Sequence, residues 1–155
     1  MDETILGRFV VAKLDEIIDV VAGMDDETAN AVPPLPGGNS AYQLLTHCLG
    51  MAQQWTREHI AGEPTGRDRD GEFRASGDVE TLVLQARAYR GELVGDLADI
   101  DSARPPAGRA WGRQPFWIGT AEGILLHVLE ELCQNLGHLE ITRDLVVSAR
   151  HADAG

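Results

Sequence analysis

Cysteine, lysine and aromatic residues are scarce in this chain of 155 residues. The two cysteines, Cys48 and Cys133, fall inside predicted helices without regular spacing, which excludes a disulfide scaffold and favours a reducing, cytoplasmic setting. Both are expected to be small core residues. Lys13 is the single lysine, and 25 acidic against 13 basic residues leave a net charge of −12. This balance argues against partners such as nucleic acid or an anionic membrane surface.

Long hydrophobic runs are missing as well. The longest uncharged stretch, residues 28–56, is interrupted by the Pro-Pro-Leu-Pro-Gly-Gly segment at 33–38 and by polar amides, so we expect no membrane span. The first residues, MDETILGRFVV, lack the basic-then-apolar order of a signal peptide, and we expect no export. The length predicts a single domain over residues 1–155.

Apolar residues recur three or four positions apart in four segments, which is typical of amphipathic helices. The first helix is predicted over residues 4–21, followed by a short helical turn at 24–27. The other three begin at capping residues, which are Asn39 or Ser40, Asp78 and Thr120, and end near residues 60, 99 and 148. The intervening residues 61–77 and 103–119 are predicted to be long irregular links, the first with a short extended piece around Phe73. The sequence therefore predicts an all-α fold, a four-helix bundle with long loops between helices two and three and between helices three and four.

Two of these helices carry residues suited to metal chemistry. His47 lies three residues after Leu44 and four before Met51, so it projects from an apolar stripe into the bundle. On the last helix, four polar residues spaced by four, four and three positions share an arc of about 80°, namely His127, Glu131, Asn135 and His138. Imidazole and carboxylate groups that face one another across helices form metal sites in bundle cores. Two other interpretations stay open: His47 as a hydrogen-bonded core residue, and Glu130, Glu131 and Glu140 as a solvated face.

The segments 39–55, NSAYQLLTHCLGMAQQW, and 127–145, HVLEELCQNLGHLEITRDL, resemble the second-helix and last-helix motifs of the DinB-like superfamily. The similarity is to the branch that includes mycothiol-dependent maleylpyruvate isomerase, and it extends over nearly the whole chain. It implies a DinB-like four-helix bundle and a divalent metal, commonly zinc or nickel. The metal would be held by one His on helix two and by two ligands four residues apart on the last helix. Matched residue by residue, these positions are His47, Glu131 and Asn135.

Asn135 departs from this pattern, because relatives carry His at that position. A neutral amide oxygen suits calcium or magnesium better than zinc. Three outcomes follow from the sequence: His138 or His127 replaces the missing ligand, Asn135 ligates a harder ion, or the site is vestigial and Asn135 hydrogen-bonds His47 or Glu131.

The resemblance implies thiol chemistry on a small-molecule substrate. The thiol would be mycothiol or a similar low-molecular-weight thiol, and the reaction a transfer to an electrophile or a thiol-assisted isomerisation in detoxification or stress response. The link arginines are candidates to hold an anionic substrate, with ordinary solvated charge as the alternative; they are Arg67, Arg69, Arg74, Arg109 and Arg113. A second function class is a non-catalytic small-molecule-binding or interaction protein with a degraded metal site. A third, a self-associating module, follows from the homodimers that the family forms.

Overall fold

The structure, a computed structural model, describes residues 4–108 and 115–155. Helices in this part are α1 (Ile5–Ala22), α2 (Asp26–Asn30), α3 (Ala41–Gln53), α4 (Arg69–Glu72), α5 (Val79–Asp99) and α6 (Ala121–Asp153). A π-helical segment, Gln54–Ala61, continues α3 directly. With that continuation four helices are long, and the described residues contain no strand. The predicted all-α helical bundle is confirmed.

Side-chain caps determine where the long helices begin, as the sequence predicted. The hydroxyl of Ser40 accepts a hydrogen bond from the backbone N–H of Gln43, and the Gln43 side chain accepts one from the backbone N–H of Ser40. This reciprocal pair is a capping box. Asp78 and Thr120 cap α5 and α6 in the simpler one-bond manner. The last helix runs for 33 residues, somewhat beyond the predicted end.

The core lies between the apolar faces of the four long helices. Helix α1 packs against α5 and α6, and α3 packs against α6. Leu14 of α1, Leu45 of α3, Leu93 of α5 and Leu132 of α6 are each completely buried in one continuous cluster. The contact between α3 and α6 brings together the two helices that carry His47 and Glu131.

The two cysteines differ in environment. Cys48 is buried, as predicted, and burial raises the pKa of its thiol well above the ordinary value. Cys133 is exposed, so the prediction of a core position was wrong for this residue. It follows the buried Leu132 by one position, and that step of about 100° turns it away from the core.

Within the described residues, no helix combines the length and the apolar character needed to cross a membrane.

Candidate active site

His47 and Glu131 meet where α3 packs against α6. His47 is buried, and its Nε2 lies 4.0 Å from Oε2 of Glu131. The Glu131 side chain is half-buried, at 30% exposure, whereas Glu130 and Glu140 are exposed. Glu131 therefore turns inward from the solvated face that its neighbours form, and the structure brings together the imidazole and the carboxylate expected from the sequence.

The opposite nitrogen of His47 contacts a residue that sequence analysis did not select. Nδ1 lies 2.9 Å from Oε2 of Glu72, which belongs to the short helix α4 in the link between α3 and α5. An ionised carboxylate only accepts hydrogen bonds, so the ring proton is on Nδ1, and Nδ1–H donates a hydrogen bond to Glu72. In the neutral imidazole the lone pair is then on Nε2, the nitrogen that faces Glu131.

Glu72 is itself held by a bidentate pair with Arg67. Arg67 Nε donates to Oε1 at 2.6 Å, Nη2 donates to Oε2 at 2.9 Å, and Nη1 donates to the side-chain oxygen of Gln54 at 2.8 Å. Burial opposes ionisation of Glu72, but the hydrogen bonds from Arg67 and His47 outweigh it and hold the pKa of Glu72 below its ordinary value. A carboxylate charge is thus fixed beside His47 at neutral pH.

Gly50 allows Glu72 to come this close to α3. A Cβ at position 50 would lie 2.1 Å from Oε1 of Glu72 and 3.3 Å from Nε of Arg67. Because both oxygens of Glu72 are already engaged by Arg67, the carboxylate has no equivalent position to move to. The glycine at position 50 of α3 therefore leaves room for a close approach of the link.

The link between α3 and α5 folds over His47. Asp68 caps α4 by accepting a hydrogen bond from the backbone N–H of Gly71 at 3.0 Å. The helix brings the Phe73 ring to 4.9 Å from the His47 ring, and the Arg69 guanidinium lies 5.3 Å from the centre of Phe73. The extended piece predicted around Phe73 was wrong, because this stretch forms a helical turn that covers one side of the imidazole.

The other predicted ligands on α6 do not join His47 and Glu131. Asn135 uses its amide N–H to donate to the backbone oxygen of Glu131 at 2.8 Å, a bond within its own helix. His138 is exposed.

His127 belongs to a separate group, which we call the aromatic cluster: Trp55, His59, Trp117 and His127. The His127 ring stacks on Trp117 with centroids 4.0 Å apart, and Trp55 stacks on His59 at 4.3 Å. Trp55 also meets His127 edge to face at 5.1 Å. Nδ1 of His127 lies 3.4 Å from Oε2 of Glu130. Packing of aromatic rings thus engages one of the two histidines named as possible replacements for the missing ligand.

The residues present do not fit a zinc or nickel centre. Two donors bound to one tetrahedral zinc lie about 3.4 Å apart, given metal–ligand distances of about 2.1 Å, so His47 and Glu131 at 4.0 Å could approach one ion with a small shift. A third strong donor is missing from the described residues, which contain no group of three His, Cys, Asp or Glu side chains able to hold a metal ion. Calcium takes about six to eight oxygen ligands and magnesium about six, so an ion held by Glu131 and Asn135 would draw most of its ligands from water.

The arginines predicted to hold an anionic substrate lie in different environments. Arg67 has a side chain that is only 10% exposed, and its guanidinium is engaged with Glu72 and Gln54. Arg69 is exposed and lies over the Phe73 ring. Arg74 is exposed, in line with ordinary solvated charge. Arg109 and Arg113 lie outside the described residues.

Comparison with known proteins identifies the family of the chain. No curated protein and no solved structure matches the chain significantly. A family model does match, that of mycothiol-S-transferase, over residues 5–147. The match covers α1, α3, α5 and α6 as far as residue 147, including His47, Glu72 and Glu131, and the family is a DinB-like one. The resemblance seen in the sequence is confirmed, and the chain belongs to the mycothiol-S-transferase family.

Proposed function

We propose that this protein is a thiol S-transferase in which His47 acts as a general base toward mycothiol or a similar low-molecular-weight thiol, without a zinc or nickel ion. Family membership supports the thiol chemistry. The observation that carries the base assignment is the His47 ring, with Nδ1 bonded to Glu72 and Nε2 facing Glu131.

A base is needed because thiols are mainly protonated at neutral pH. An ordinary thiol has a pKa of about 8.5, and the thiolate is the nucleophile. Nε2 of His47 takes the proton as the S–H bond breaks. The thiolate then forms a bond to an electrophilic carbon, and the bond from that carbon to its leaving group breaks. The proton on Nε2 passes to the leaving group or to solvent, so the site returns to its starting state.

The ionised groups around His47 carry a net negative charge. Glu72 and Glu131 contribute two negative charges and Arg67 one positive charge, so the group has a net charge of −1 while His47 is neutral. Accepting a proton brings the net charge to zero. The side chains of Arg67 and Glu72 are only 10% and 7% exposed, so solvent screens their two charges little, whereas Glu131 is 30% exposed.

The same residues support isomerisation as a variant of the reaction. A thiolate that adds to a polarised double bond turns it into a single bond that can rotate, and elimination of the thiolate then restores the double bond in the other configuration. His47 would take the thiol proton at the start and give it back at the end. The homodimer and the cytoplasmic location expected from the sequence belong to this proposal, and light scattering on the purified protein tests the dimer.

The test uses protein treated with EDTA, mycothiol and the electrophile 1-chloro-2,4-dinitrobenzene, with thioether formation followed by absorbance. We expect the wild type to accelerate the reaction and His47→Gln to lose at least about 100-fold of the rate, the lower range for a general base. His151→Gln, at an exposed position of α6, is the matched control and is expected to keep the rate.

Three results would contradict the proposal. If His47→Gln keeps the wild-type rate, His47 is not the base. If activity appears only after zinc or nickel is added, the reaction is metal-dependent. If the wild type binds mycothiol in calorimetry but forms no thioether, the second function class, a non-catalytic binding protein, is correct. The observation that favours that class is Asn135, which stands where relatives carry a ligating histidine.

A further inference from the structure

We infer that Glu72 is a positioning residue: it determines which nitrogen of His47 carries the proton, and Gly50 is the residue that lets it do so. This inference rests on the proposed function, because it concerns the same imidazole. It adds a residue that neither the sequence motifs nor the family match assigns to the site.

Two groups compete for Nδ1 of His47. Oε2 of Glu72 lies 2.9 Å away, and Nη2 of Arg67 lies 3.2 Å away. The carboxylate can only accept a hydrogen bond, and the guanidinium can only donate one. With Glu72 in place, Nδ1–H donates to the nearer, charged acceptor, and Nε2 keeps its lone pair.

Loss of the carboxylate would reverse this arrangement. Arg67 would then be the group beside Nδ1, and it would favour the tautomer in which Nδ1 accepts. The proton of the neutral ring would move to Nε2, the nitrogen directed at Glu131. A nitrogen that already carries a proton cannot take one from a thiol, so the base would be lost although His47 remained in position.

The two halves of the ion pair therefore have opposite effects on His47. Arg67→Gln breaks the pair but leaves the carboxylate, so the proton stays on Nδ1. Glu72→Gln leaves a single oxygen, which stays on Nε of Arg67, and puts the amide NH2 group in the place of Oε2. Two donors, this NH2 and Arg67, then face Nδ1, so the proton moves to Nε2. A purely structural role for the pair predicts the same outcome for both variants.

Nitrogen-15 NMR of histidine-labelled protein distinguishes these cases, because the protonated and unprotonated ring nitrogens of His47 resonate in separate regions. We expect Nε2 to be the unprotonated nitrogen in the wild type and in Arg67→Gln, and Nδ1 to be the unprotonated nitrogen in Glu72→Gln. In the thiol transfer assay, Glu72→Gln is expected to lose at least about tenfold in kcat with KM for the thiol little changed. An unchanged tautomer in Glu72→Gln, or the same change in both variants, would refute the inference.

Gly50→Ala offers an independent test that leaves every charged residue in the sequence. The added methyl group would occupy the space of Oε1 of Glu72, so the carboxylate is expected to withdraw and the His47 spectrum to follow that of Glu72→Gln. Gly91→Ala in α5 is the matched control, because a Cβ there meets nothing within 4 Å. A wild-type spectrum for a folded Gly50→Ala variant would show that Gly50 does not admit Glu72.

The inference and the proposed function fail separately. The tautomer of His47 is measured by NMR without any substrate, so the inference about Glu72 can be wrong while His47 still acts as the base. Conversely, if His47→Gln keeps full activity, the proposed function is wrong whatever the tautomer of the wild type.

Discussion

Replacing Asn135 with histidine is expected to convert the present site into a zinc site. Position 135 follows Glu131 by one helical turn, so a histidine there would present a third donor toward the space between His47 and Glu131. Those two groups are separated by 4.0 Å, and a tetrahedral zinc would draw them to about 3.4 Å. The required movement of about 0.6 Å is within the reach of the half-buried Glu131 side chain.

The expected gain in zinc affinity follows from the binding free energy that one ligand contributes. Structural zinc sites with four protein ligands bind with about 10–16 kcal/mol, or roughly 2.5–4 kcal/mol for each ligand. Asn135→His is therefore expected to lower the Kd for zinc by about 100-fold to 1,000-fold. Zinc at 100 times the new Kd would also stabilise the fold by about 2.7 kcal/mol.

Competition with a chromogenic chelator measures the zinc affinity, and elemental analysis of protein purified without a His tag gives the stoichiometry. Gln134→His is the matched control, since it adds a histidine at the neighbouring exposed position. His47→Ala in the Asn135→His background should abolish the gain. Tight, stoichiometric zinc binding by the wild type, or an equal gain in zinc affinity for Gln134→His, would refute the reasoning that Asn135 prevents zinc binding.

Other predictions concern stability. Leu132→Ala removes a completely buried side chain and is expected to cost about 2–5 kcal/mol of unfolding free energy, measured by urea denaturation. Ser40→Ala breaks the capping box and should cost about 1 kcal/mol in the same assay, whereas Gly91→Ala should stabilise α5 by about 0.5–1 kcal/mol. The lowered pKa of Glu72 means that the unfolded chain binds its proton at higher pH than the folded one. The stability that ionised Glu72 contributes is therefore complete above its ordinary pKa of 4.5 and is lost as pH falls through the lower pKa of the folded protein. Glu72→Gln should therefore weaken the loss of unfolding free energy at acid pH. An unchanged loss would contradict the lowered pKa of Glu72.

The helices and half of the site could be predicted because they depend on local periodicity. Apolar residues three or four positions apart define the buried faces of α1, α3, α5 and α6, and capping residues mark their starts. His47 and Glu131 border those buried faces, so the packing of α3 against α6 brings them together without further information.

The positions of the other predicted ligands on α6 depend on side-chain rotamers and on local contacts. His127, Glu131 and Asn135 share one arc of α6, yet a helix face extends over several turns and its members need not converge on one point. His127 stacks on Trp117, and Asn135 bonds to the helix backbone. Neither choice can be seen from spacing, because both depend on which atoms of neighbouring segments are within reach.

Glu72 escaped prediction because the link that contains it has no periodic pattern. It lies 25 residues from His47 in a charged stretch where an acidic residue is most simply taken for a solvated one. The sequence does hold two signals of a docked link: Phe73, a large apolar residue in that charged stretch, and Gly50, a glycine within an otherwise regular helix. Phe73 lies beside the His47 ring and Gly50 makes room for Glu72, so each marks one side of the same contact. Such a glycine on a helix that bears a candidate histidine favours a search of the adjoining link for a carboxylate, since the histidine's second nitrogen needs an acceptor whenever the first serves as a base.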